Sequence, residues 1–220
     1  AWLKADFPNL KELDLSWNRF YQFPRNISLN LSKLNLAHNP LQNLNLHTNL
    51  PIKSLHIDHC NLRVIPTGLQ FLPDLKSLDI SHNAIDFWPA RISISPKITH
   101  LNLSHNSFKN IPESVFHLAK IKSLNVSYNR LNILQASIKN LKNLKELNLS
   151  DNKLPVLPDS IGKLFPMELG STMIPNPAGG LVGVDATIQL TTLNVVASFA
   201  YIAIFIVIIN HLLKRGHAAK

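Results

Sequence analysis

Residues 75–85 read LKSLDISHNAI and residues 98–108 read ITHLNLSHNSF. In both, apolar residues hold the first, fourth, sixth and last places, and an asparagine holds the ninth. The same frame extends outward from this pair. Toward the N-terminus it reads IKSLHIDHCNL (52–62), LSKLNLAHNPL (31–41) and LKELDLSWNRF (10–20). Toward the C-terminus it reads IKSLNVSYNRL (121–131) and LKELNLSDNKL (144–154). The ninth place falls at Asn18, Asn39, Cys60, Asn83, Asn106, Asn129 and Asn152, in steps of 21, 21, 23, 23, 23 and 23 residues. Seven copies in register predict a solenoid, in which each unit buries its apolar face only against the next.

Each copy carries a physical reason for its pattern. The apolar-x-apolar centre predicts a short strand with alternate side chains turned inward, and neighbouring strands predict a parallel sheet. The ninth-place asparagines are expected to turn inward and satisfy backbone groups where the strand bends. Cys60 fits the same column and reads as a structural thiol. The remainder of each unit carries IPTGL (65–69), WPARI (88–92), IPESV (111–115), LQASI (134–138) and LPDSI (157–161). Proline there sets φ where the chain leaves the bend and precedes a helical turn.

These motifs resemble the leucine-rich repeat family over roughly residues 7–165. The 23-residue form with the proline step is similar to the intracellular class. The resemblance implies an α/β solenoid, a horseshoe of about seven repeats whose concave side is a parallel sheet. It also implies that exposed strand positions carry recognition of a protein partner. The first two repeats depart from the pattern in length. The stretch before Leu10 reads as the remainder of a preceding convex segment, so further repeats or a capping partner are expected there.

The formal charge of +9 on 220 residues is a broad basic body with a basic end: residues 1–165 hold 19 Lys/Arg against 11 Asp/Glu. Such a balance permits acidic proteins or anionic head groups as partners. Basic runs with interleaved aromatics are missing, so nucleic acid is not the expected partner. One cysteine among 220 residues excludes a disulfide framework within the chain and leans toward a reducing compartment.

Repeats in register turn equivalent positions into columns. The place before the ladder holds Trp17, His38, His59, His82, His105, Tyr128 and Asp151; the place after the first apolar residue holds Lys11, Ser32, Lys53, Lys76, Thr99, Lys122 and Lys145. The predicted protein-binding surface is the concave strip Trp17, His38, His59, His82, His105 and Tyr128, flanked by Lys53, Lys76, Lys122 and Lys145. Flat, partly apolar groups on a rigid sheet suit protein recognition. Four imidazoles in a column also raise metal binding. Side chains in such a column run parallel instead of converging, however, and nearby carboxylates are few (Asp58, Asp79), so no metal site is assigned. No catalytic constellation or phosphate-cradling loop stands out, and neither enzymatic activity nor a cofactor is expected.

After the repeat domain (1–165), residues 166–189 hold proline and glycine breakers and read as a linker. Residues 190–213, LTTLNVVASFAYIAIFIVIINHLL, carry no charged side chain. As a helix they would run about 36 Å, enough for a hydrocarbon core of about 30 Å. The expectation is one transmembrane helix, with residues 214–220 as a basic tail. The short tail resembles those of tail-anchored proteins, and basic-ended anchors of this kind resemble those of the mitochondrial outer membrane. Five N-x-S sequons, at Asn26, Asn30, Asn102, Asn125 and Asn148, point instead to a lumenal body. The reading is a non-enzymatic, membrane-anchored adaptor or accessory subunit of a membrane complex. The alternative is the ligand-binding ectodomain of a single-pass receptor-like protein.

Overall fold

The structure is a computed structural model that describes residues 9–23, 30–44, 49–90, 92–164, 172–175 and 181–184. The segment read as a transmembrane helix (190–213) and the basic tail (214–220) lie outside the described residues, as does Asn26. Among the described residues no helix is long and apolar enough to cross a membrane.

Each repeat contributes one three-residue strand, centred on its fourth-place leucine. The strands are β1 (Glu12–Asp14), β2 (Lys33–Asn35), β3 (Ser54–His56), β4 (Ser77–Asp79), β5 (His100–Asn102), β6 (Ser123–Asn125) and β7 (Glu146–Asn148). They form one parallel sheet in sequential order. Its register pairs Leu13, Leu34, Leu55, Leu78, Leu101, Leu124 and Leu147 in a row. That register is the one the sequence frame predicts, because any one-residue slip would turn these leucines to solvent. The leucines from Leu34 to Leu147 are buried, whereas Leu13 in the first repeat is half-buried.

The core lies between this sheet and the convex side. There, 3-10 turns span Thr67–Phe71, Glu113–His117, Ala136–Asn140 and Asp159–Lys163. Pro66, Pro112 and Pro158 precede three of them with φ of −62°, −57° and −70°, the value proline enforces. Repeat 4 starts the same turn, with Ile92 N–H donating to the Pro89 carbonyl at 2.9 Å. These turns correct the α/β expectation: among the described residues the convex side carries no α-helix. In repeat 3 the segment between Pro66 and Pro73 has room for little more than one turn, and short tight turns of this kind take 3-10 form. Leu69, Val115 and Ile138 drop inward from the turns and fill the core. Ser95 replaces the leucine found at this point in other repeats (Leu72, Leu118, Leu141) and is nevertheless buried. Its hydroxyl donates to the Pro73 carbonyl at 2.8 Å, which removes the cost of burying it.

Within the stretch read as a linker, β8 (Thr172–Pro175) and β9 (Leu181–Val184) pair antiparallel, with Thr172 opposite Val184 and Pro175 opposite Leu181. Breaker residues alone did not reveal this pairing.

Candidate functional site

Immediately after each strand the backbone turns through a left-handed residue. Trp17, His38, His59, His82, His105, Tyr128 and Asp151 have φ between 50° and 57°. The N–H groups of the first six are tied to the next repeat: Trp17 donates to the Ala37 carbonyl, His38 to Asp58, His82 to Ser104 and Tyr128 to Ser150, each at 3.0 Å. Histidine and aspartate enter this conformation more readily than most residues, whereas it is an outlier for bulky Trp and Tyr. The histidines of the column therefore suit the backbone, while Trp17 and Tyr128 are there against its preference.

The fixed turn points all six rings the same way. Trp17, His38, His59, His82, His105 and Tyr128 form one uninterrupted stack, with centroid separations of 3.7, 4.1, 4.0, 3.9 and 4.1 Å and interplanar angles of 9–15°. Trp17 is 77% exposed and Tyr128 50%, so large apolar surface is open at both ends of the stack. Burial between its neighbours, followed by the proximity of His105 and His59, holds the His82 imidazole below the ordinary value of 6.5.

The strip and the lysines do not adjoin. Lys53, Lys76, Lys122 and Lys145 precede their strands and the rings follow them, so the two columns lie at opposite ends of the strands. This corrects the expected flanking arrangement. Between them lie two strand columns, of which the sequence reading used neither as a site. One runs Glu12, Lys33, Ser54, Ser77, His100, Ser123 and Glu146, and carries a Lys33–Glu12 ion pair at 2.8 Å across β1 and β2. The other runs Asp14, Asn35, His56, Asp79, Asn102, Asn125 and Asn148. The strict alternation of a strand places both outward beside the buried leucines, and that alternation was the signal available to find them.

The ladder lies on the inner side of the bend. Asn106 donates to the carbonyls of Ile80 (3.1 Å), Leu103 (3.2 Å) and Ser104 (3.1 Å), and accepts from Ile85 N–H at 3.0 Å. Asn39, Asn83, Asn129 and Asn152 repeat this four-bond pattern, reaching back to the preceding repeat. Among the described residues, Asn18 bonds within its own repeat, to the Leu15 and Ser16 carbonyls. At Cys60 the thiol donates to the Leu36 carbonyl at 3.2 Å and the Asp58 carbonyl at 3.3 Å. Burial, more than any other cause, pushes that thiol up to about 11, so it is held as an unreactive thiol. Leu41 N–H, which an asparagine at 60 would receive, bonds instead to the Asn39 carbonyl at 2.7 Å.

Comparison with known proteins agrees with this geometry. Leucine-rich-repeat family models match residues 9–29, 51–106 and 96–154. Among solved structures, a leucine-rich-repeat protein of Leptospira interrogans is 26% identical with a TM-score of 0.57, covering 71% of this chain and 47% of its own. An internalin of Listeria monocytogenes shares the fold at 22% identity and a TM-score of 0.55, covering 72% of this chain and 46% of its own. The chain thus spans about half the length of these structures. No curated protein matches it.

Proposed function

The chain belongs to the leucine-rich repeat proteins, which generally act through protein–protein interaction, and from that premise we propose that it is a non-enzymatic, membrane-anchored adaptor or accessory subunit. Its repeat body holds a protein partner on the ring strip and the adjoining strand face, and residues 190–213 anchor it in a bilayer. The observation that carries the partner-binding half is the continuous six-ring stack with Trp17 and Tyr128 largely exposed. Aromatic groups held rigidly by a scaffold lose little entropy on binding and are enriched at binding hot spots. The membrane half rests on the uncharged run of residues 190–213. Alkaline extraction of membranes from expressing cells tests it. The full chain should stay in the pellet, and a chain lacking residues 190–220 should appear in the supernatant. Extraction of the full chain would refute anchoring.

The receptor-like alternative, with repeats on the lumenal side, has one described sequon with an exposed asparagine, Asn30. Asn102, Asn125 and Asn148 accept bonds from the N–H of Ser104, Ser127 and Ser150, which places them within the repeat's own hydrogen bonding. Glycan on Asn30 would favour that reading.

A further inference from the structure

The seven repeats serve as one another's controls, and repeat 3 breaks their rule at two linked places. In the other six, the last strand residue is Asp or Asn and the residue two places on is Ser or Ala. In all six, the side-chain oxygen of the first accepts the N–H of the second: Ser16 to Asp14, Ala37 to Asn35, Ser81 to Asp79, Ser104 to Asn102, Ser127 to Asn125 and Ser150 to Asn148, at 2.8–3.1 Å. Repeat 3 has His56 and Asp58 instead. His56 does not make this turn, and its Nε2 rests at 3.4 Å from the Ser54 hydroxyl. The pair gives up a local bond that every other repeat keeps.

What the pair gains is a set of ligand atoms. His56 and Asp79 occupy paired positions on the adjacent strands β3 and β4. With Asp58 they place one imidazole nitrogen and two carboxylate oxygens within 4.8 Å of one another. Donors around a tetrahedral ion with bonds of about 2.1 Å stand about 3.4 Å apart, so small side-chain rotations close the set. The carboxylates are also held by neighbours, as ligands usually are. The Asp79 carboxylate accepts from Ser81 Oγ at 2.6 Å and from Asn102 Nδ2 at 3.0 Å, and His59 Nδ1 lies 3.1 Å from Asp58 Oδ2. A second grouping, His38, Asp58 and His59, is equally close. Its two rings, however, are stacked at 4.1 Å and 15°, and their in-plane lone pairs run side by side instead of meeting on one ion. The ring column is thus poor at chelation, as its parallel geometry suggested. The carboxylates of Asp58 and Asp79 instead gather with His56, outside the column.

We infer that His56, Asp58 and Asp79 form a binding site for one divalent transition-metal ion, of the type a mixed nitrogen and oxygen donor set takes, with its remaining positions open to water or to a partner's side chain. The site does not depend on the partner-binding reading, because the ion binds the free chain.

The test is calorimetric titration of zinc chloride into the purified full chain in detergent micelles. His56→Asn and Asp58→Ser each install the residue found at that place in other repeats, so both variants have a precedent for folding within this molecule. His82→Asn removes an imidazole from the column but no proposed ligand. The prediction is one zinc ion per chain, at least tenfold weaker in His56→Asn, Asp58→Ser and Asp79→Asn, and unchanged in His82→Asn. Absence of saturable binding at millimolar zinc overturns the inference. Equal affinity across all variants, or a loss confined to His82→Asn, overturns it as well.

Discussion

At the scale of single residues, the buried amide of Asn106 sets the energetics of the bend. It makes four bonds where the strand leaves the sheet: the carbonyls of Ile80, Leu103 and Ser104 also accept from Asn83, Asn129 and His82, whereas the Ile85 N–H is given to Asn106. Replacing it with alanine leaves the buried Ile85 N–H without its acceptor and takes one of two donors from each carbonyl, so Asn106→Ala should lower stability by about 1–3 kcal/mol. Urea denaturation followed by circular dichroism measures this. Cys60 holds the same column with two weak sulfur bonds. It should resist a thiol reagent in the folded chain and react on unfolding, and Cys60→Asn should keep or raise the denaturation midpoint. This ladder was legible in the sequence because an amide recurring in a leucine frame has only one economical place to go. The left-handed backbone of the neighbouring column was less legible. A repeat template fixes which residues align but not their φ, and the only hint was a run of His and Asp, residues that tolerate that region.

His82 couples that backbone to protonation. Its folded imidazole titrates below 6.5, first because of burial and then because His105 and His59 lie on either side. The unfolded chain takes up this proton near 6.5. The contribution to stability is therefore complete above that pH and is lost as pH falls from 6.5 through the lower folded value. The His82 resonances followed by NMR should titrate below 6.5, and the loss of stability under acid should be smaller in His82→Asn.

Among the elements, the strip is the distinctive one. Its rings are set by a left-handed turn and an inter-repeat N–H bond, so backbone compatibility and stacking can be separated by substitution. His82→Val places a β-branched residue at φ 50° and should cost about 1–3 kcal/mol, whereas His82→Asn suits the backbone and should cost less. Paired denaturation curves distinguish them. The strands were predicted to within a residue, because the leucine alternation admits one register. The lysine column was misplaced relative to the rings because sequence spacing gives the distance along a strand but not what lies between its ends. Two outward columns of the sheet occupy that gap, and His56 and Asp79 belong to one of them.

At the scale of the molecule, a sequential sheet of seven strands gives a long, rigid surface on which separate columns reach a partner together. The core is continuous from Phe23 to Leu164, so truncation after the repeats should leave it intact. A chain lacking residues 190–220 is expected to unfold at the same urea concentration as the full chain, and a lower midpoint would assign those residues to the core as a cap. The repeat architecture was almost wholly legible because each unit is a copy under the same packing constraint. The convex 3-10 turns were not, since the proline step announces a helical turn without fixing its pitch.

The central claim is that the ring strip is where a protein partner touches, and site-specific photocrosslinking in intact cells tests it most directly. A photoreactive amino acid would be placed in turn at Trp17, at Tyr128 and at Lys120 beside a convex turn. The account predicts adducts to one partner from Trp17 and Tyr128 and none from Lys120. Adducts from Lys120 with none from the strip would contradict it.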